Sequence, residues 1–215
     1  MKAHGRFIAF EGIDGVGKST VARLVAADLE RHGLDVLLTR EPGGSQAAED
    51  LRRLLVEGEP GRWSPIAELL LHTAARVEHL RATILPALAV GRWVLCDRYV
   101  ASSIAYQGHA MMVGYGAVIQ LHDLAAGGIM PDLTVILDAP PEIVAARAGG
   151  RITAEDRHDR MGAGFTDQVR AGYRACLDDG RHNACMVDAS GTPASTAAAI
   201  VELIDQRLGL LPAAP

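Results

Sequence analysis

The segment GIDGVGKST, Gly12 to Thr20, restricts this chain more than any other stretch. It follows the apolar run Phe7 to Phe10 and precedes a helical pattern spanning Ser19 to Arg31. Gly12, Gly17, Lys18 and Ser19 satisfy G-x-x-x-x-G-K-[ST], in which glycines let successive backbone N–H groups curl around phosphate oxygens. The helix N-terminus adds positive potential, Lys18 can reach β- and γ-phosphates, and Ser19 can ligate Mg²⁺. Gly15, Val16 and Thr20 complete the expected triphosphate cradle. Of 21 basic residues only Lys2 and Lys18 are lysines, so an arginine-using chain keeps a compact ammonium where one fits between phosphates.

The rest of the chain alternates in the same way. Phe7 to Phe10, Val36 to Thr39, Trp93 to Cys96, Leu133 to Leu137 and the shorter Cys185 to Val187 are apolar runs bounded by turn or polar residues. Helical patterns lie between them at Ser45 to Leu55, Pro65 to Leu88, Gly116 to Ala126, Pro141 to Ala148 and Phe165 to Leu177, with Pro193 to Leu208 at the end. This predicts an α/β fold of the P-loop NTPase type: a five-stranded parallel sheet with helices on both faces. A length of 215 residues and a hydrophobic content of 49% suit one domain, residues 1–215, with a short mobile lid at about 147–162. Ligands of such sheets gather beyond the carboxyl ends of the strands, where Asp97 can hold Mg²⁺ and Arg98 can clamp a second phosphate.

Composition removes several classes. A net charge of −5 argues against nucleic-acid binding, which needs a basic surface. Three cysteines without CxxC spacing indicate neither a disulfide framework nor a zinc site. No apolar run has the length of a membrane span or a signal peptide, so no membrane partner is expected and the expected compartment is the cytoplasm.

FEGIDGVGKST, TREPGG (Thr39 to Gly44), AARVEHL (Ala74 to Leu80), DRYVASSIAYQG (Asp97 to Gly108), PDLTVILD (Pro131 to Asp138) and DRHD (Asp156 to Asp159) resemble, in order and spacing, the thymidylate kinase family. The resemblance covers nearly the whole chain. It implies transfer of a phosphoryl group from Mg·ATP to dTMP, and a homodimer. It implies that Asp14 meets the 3′-hydroxyl and that Arg98 and Arg52 grip the acceptor phosphate beside Glu41 and Pro42. It places Arg76 at the base edge, Tyr106 against the sugar, Ser103 and Gln107 near the base, and Asp188 beside the adenine. The late-arriving catalytic charges then fall to the lid arginines Arg147, Arg151 and Arg157, because Gly15 stands where some family members carry an arginine.

One departure bears on the acceptor. The family stacks the thymine on a phenylalanine one helical turn before the base-edge arginine, and that place holds His72. His72, Arg76 and His79 share a helical stripe that can look into a pocket. An imidazole can stack and can also hydrogen-bond, which leaves open another or a 5-modified pyrimidine monophosphate as acceptor. A P-loop regulatory NTPase is the alternative of a different class. Of the strand-end aspartates Asp97, Asp138 and Asp188, only Asp188 opens a D-x-x-G, which runs to Gly191 and lies close to the C-terminus.

Overall fold

A computed structural model describes residues 5–57, 59, 61–148 and 163–210. Its centre is a five-stranded parallel sheet in the order β2-β3-β1-β4-β5, with β1 at Phe7–Glu11, β2 at Val36–Arg40, β3 at Trp93–Asp97, β4 at Leu133–Asp138 and β5 at Ala184–Asp188. β1 is buried along its whole length between β3 and β4, with Ile8 opposite Leu95 on one side and Leu133 on the other. Such a strand is covered on both faces, so its sequence is continuously apolar rather than alternating.

Helix α1 (Lys18–Arg31) packs on α9 (Pro193–Leu208), while α3 (Pro65–His79) packs on α2 (Gln46–Val56) and α6 (Tyr115–Ala126). The remaining α-helices among the described residues are α4 (Leu85–Ala89), α5 (Val100–Ser103), α7 (Pro141–Ala148) and α8 (Ala163–Asp178). Ser45, Ser64 and Thr192 cap α2, α3 and α9 by accepting a backbone N–H of the first turn.

Two helical regions differ from the sequence expectation. The pattern over Pro65 to Leu88 resolves into α3, a π-helical turn at Leu80–Ile84, and α4, because the register must shift before Pro86. A further helix, expected from no periodicity, runs from α5 into a π-helical stretch at Ile104–Ala110. Val100, Ala101 and every residue from Ser103 to Gly108 are buried, and a helix covered on all sides has no amphipathic period to read.

α8 lies closely along that π-helical stretch. A Cβ placed on Gly172 would come within 2.6 Å of the Ala105 backbone, so the two helices meet at a separation only glycine permits. The next residue, Tyr173, is thereby carried into the core beneath the sheet's carboxyl edge.

Candidate active site

The carboxyl ends of three adjacent strands supply the site. β1 ends in Glu11 and turns at Gly12, β2 leads into Glu41 and Pro42, and β3 ends in Asp97 before Arg98. Backbone bonds stitch these ends together: Arg98 N donates to Phe10 O at 2.9 Å, and Glu41 N donates to Asp97 O at 2.9 Å. They open into a cleft of about 740 Å³.

The cradle forms as its spacing requires. Gly12 has φ +131° and a Cβ there would meet Leu137 O at 2.3 Å, so this position excludes any side chain. Gly17 caps α1 in the left-handed region, which turns the first N–H groups of the helix toward the loop. Lys18 Nζ donates to Gly12 O at 3.0 Å and to Ile13 O at 2.8 Å, folded back over the cradle. Burial, and then the neighbouring charge of Arg98, bring its ammonium down to about 8. Ser19 Oγ hydrogen-bonds Asp97 Oδ2, which puts a hydroxyl and a carboxylate side by side in the cleft. Gly15, Val16 and Thr20 line the same wall.

Arg98 is the hub of a second polar cluster in the cleft. Its guanidinium donates to Asp14 Oδ1 (2.5 Å), Ser102 Oγ (2.9 Å), Tyr173 OH (3.0 Å) and Gly12 O (3.2 Å). Its φ of +74° is an uncommon conformation for a non-glycine residue and re-aims the side chain from the strand end toward the cradle. Asp14 also accepts from Tyr106 OH at 3.1 Å. Burial alone would push the Asp14 carboxyl up, but Arg98 and then Lys18 hold it well below the usual carboxylate range. Beneath them Glu11, fully buried, accepts from Tyr99 N (2.8 Å), Ser102 N (3.2 Å), Ser102 Oγ (2.6 Å) and Tyr173 OH (3.2 Å). Its carboxyl is raised by burial against those opposing hydrogen bonds.

A second buried network follows the edge of α3. Glu41 takes Arg76 Nε at 2.8 Å on one oxygen and faces His79 Nδ1 at 3.2 Å with the other. Burial would raise the Glu41 carboxyl, and the Arg76 charge brings it down instead. His79 Nε2 meets Thr39 Oγ1 at 2.8 Å, and Arg76 Nη2 donates to Ser103 Oγ at 3.0 Å. The peptide bond between Glu41 and Pro42 is cis, and Arg52 donates to Pro42 O at 2.6 Å. Gln107 Nε2 donates to Glu68 Oε1 at 2.9 Å.

The cleft thus gathers Asp14, Gly15, Val16, Gly17, Lys18, Ser19, Thr20, Glu41, Pro42, Arg52, His72, Arg76, Asp97, Arg98, Ser103, Tyr106, Gln107 and Arg147 from distant parts of the sequence. Arg147 sits on the far side of the cradle, donating to the carbonyls of Val16, Ala189, Ser190 and Gly191. Asp188 stands outside the cleft lining, and its carboxylate accepts Ser190 N at 2.8 Å, shaping the turn that Arg147 braces. Arg151 and Arg157 lie outside the described residues. Glu11, Glu68 and Tyr173 join the site without having been expected there. Glu68 stands one helical turn before His72 and extends the same stripe, and Glu11 is the one charged residue in β1, so both left a legible mark.

A glycine cradle facing an arginine-lined wall, both hung on one parallel sheet, defines a P-loop phosphotransferase. The family description "Thymidylate kinase" matches residues 10–200. The chain belongs to the thymidylate kinase family. It is 50% identical over 203 residues to the thymidylate kinase of Dinoroseobacter shibae, covering 94% of this chain and 96% of that one. It is 45% identical to that of Rhizorhabdus wittichii, covering 93% and 97%. The crystal structure of thymidylate kinase from Ehrlichia chaffeensis superposes with a TM-score of 0.76 at 31% identity, covering 94% of this chain and 99% of that one.

Proposed function

We propose that residues 1–215 act as one kinase domain that transfers the γ-phosphoryl group of ATP to dTMP, yielding ADP and dTDP. The observation that carries this reading is the ion pair between Arg98 and Asp14 at 2.5 Å, which ties the acceptor-phosphate arginine to the interior of the phosphate cradle. The acceptor is itself a phosphate, so the transfer needs no protein nucleophile and little general-base help. What it needs is alignment and positive charge between two converging anions. Lys18 leaves the carbonyls of Gly12 and Ile13 to meet the donor phosphates, while Arg98 and Arg52 approach the acceptor phosphate from the opposite side. Tyr106, buried beside Asp14, closes the sugar region against a 2′-hydroxyl.

The donor set fits Mg²⁺: Ser19 and Asp97 offer hard oxygens at the cradle, and no group of three or more His, Cys, Asp or Glu side chains placed to hold a metal occurs among the described residues. An ion with so few protein ligands completes its shell from phosphate and water. When bound, Mg²⁺ would neutralise charge on the triphosphate.

The proposed assembly is a homodimer. Leu54 on α2, Ile66 and Leu70 on α3 and Leu124 on α6 are exposed on neighbouring helices, away from the cleft lining. No helix among the described residues is long and apolar enough to cross a membrane, and the proposed compartment is the cytoplasm. His72 lines the cleft one turn before Arg76, where it can stack on the base. The named relatives favour dTMP over a differently substituted pyrimidine.

ADP release measured against a panel of nucleoside monophosphates tests the proposal. Turnover should require an acceptor, with dTMP fastest and ribonucleotides poor. Equal or faster turnover of CMP or UMP would overturn it, and acceptor-independent hydrolysis would indicate a regulatory NTPase.

A further inference from the structure

We propose that Glu68 is a specificity-determining residue that fixes the amide of Gln107 so that its oxygen, not its nitrogen, faces the bound base. Glu68 on α3 is 3% exposed and lies behind the cleft wall, outside the lining itself. Gln107 is 2% exposed, lines the cleft, and donates Nε2 to Glu68 Oε1 at 2.9 Å. The two ends of a glutamine amide are nearly equal in size, so the partner behind it decides which end looks outward. A carboxylate offers lone pairs and no hydrogen, and therefore selects the NH₂ end. Gln107 Oε1 accepts from none of the described residues and is left for the cleft.

The neighbouring Arg76 is constrained in the complementary sense. Its Nε is held by Glu41 and its Nη2 by Ser103, and as a guanidinium it can present only donors. The wall therefore carries a fixed donor and a fixed acceptor. A pyrimidine with a C4 carbonyl and an N3–H, as in thymine or uracil, matches that pair. Cytosine carries an amino group at C4 and an unprotonated N3, and opposes it at both positions. A buried polar site left unpaired in this way rejects the wrong ligand more strongly than a missing methyl group does. Glu68 thus rejects cytosine without touching the base, and it has no bearing on the 5-methyl group.

This inference rests on the dTMP reading, which wild-type turnover of dTMP tests by itself. The experiment compares kcat/KM for dTMP, dUMP and dCMP in the wild type, Glu68→Gln and Gln107→Met, with folding checked by circular dichroism and thermal melting. A glutamine at position 68 can donate as well as accept, so the Gln107 amide is free to turn over. The dTMP-to-dCMP ratio should then fall about tenfold, while the dTMP-to-dUMP ratio and the KM for ATP stay put. Gln107→Met should lower the same ratio, and adding Glu68→Gln to it should lower that ratio no further. A folded Glu68→Gln enzyme with an unchanged dTMP-to-dCMP ratio overturns the proposal, as does an equal loss for all three acceptors or a normal ratio in Gln107→Met. Should Glu68→Gln not fold, Glu68→Asp, which keeps the charge but shortens the reach, is read by the same ratios.

Discussion

Lys18 rests on two backbone carbonyls of its own loop, so ligand binding must exchange one set of oxygens for another. Removing the ammonium by Lys18→Ala should lower kcat by at least about 10²-fold with the melting temperature nearly unchanged, since its role is charge at the transferring group. An enzyme that kept its turnover would contradict the assignment. The lowered Lys18 value also has a sign that can be measured. Below about 8 the ammonium is already charged and ready; above it, the free enzyme must take up a proton to present that charge. ATP affinity should therefore weaken as pH rises past about 8, with proton uptake on binding that is detectable calorimetrically in buffers of different ionisation heat. For folding the same group acts the opposite way. The unfolded chain holds this proton more tightly, so Lys18 adds stability as pH climbs from about 8 toward 10.5. Arg98→Ala should raise KM for dTMP more than KM for ATP, because its contacts lie with Asp14 and the acceptor side.

At the scale of the element, the end of β1 and the start of the helix after β3 behave as one unit, joined by Glu11. Glu11→Leu would strip the partner from the N–H groups of Tyr99 and Ser102 and leave the Tyr173 hydroxyl a poorer site. A loss of about 2 kcal/mol or more is expected, read as a drop in urea midpoint, and Glu11→Gln should recover much of it because one oxygen still accepts both backbone groups. Legibility in the sequence divides along the same line. The strands and the cradle could be read because strand burial and phosphate wrapping both impose local patterns, apolar runs in one case and fixed glycines in the other. The helix over 100–110 could not be read, since most of its residues are buried and its turns are partly π-helical. The acceptor residues fell between these cases. Arg98 was legible as a phosphate clamp from its place at a strand end, whereas Arg76 came from the resemblance. Glu11 and Glu68 act across 88 and 39 positions of chain, on Tyr99 and Gln107 respectively, and no local pattern encodes a contact over such a distance.

On the scale of the whole molecule, the exposed apolar residues of α2, α3 and α6 point to self-association, and Leu70→Glu should shift the sedimenting species toward monomer while leaving β1 and its cradle intact. A wild-type chain that sediments as a monomer at micromolar concentration would remove the dimer proposal. Within one chain, the cradle and the Arg98 cluster meet at a different joint. Gly172 sets the spacing between α8 and the π-helical stretch, and Tyr173 beside it touches Glu11, Gly12 and Arg98 at once. A methyl group at position 172 would act as a shim, prying apart two rods whose hydroxyl-bearing contact point lies one residue further on. The tolerance of the machine is thus finer than one carbon atom at a position that touches no ligand, and Gly172→Ala should impair catalysis in the manner of a misaligned bearing rather than a missing tool.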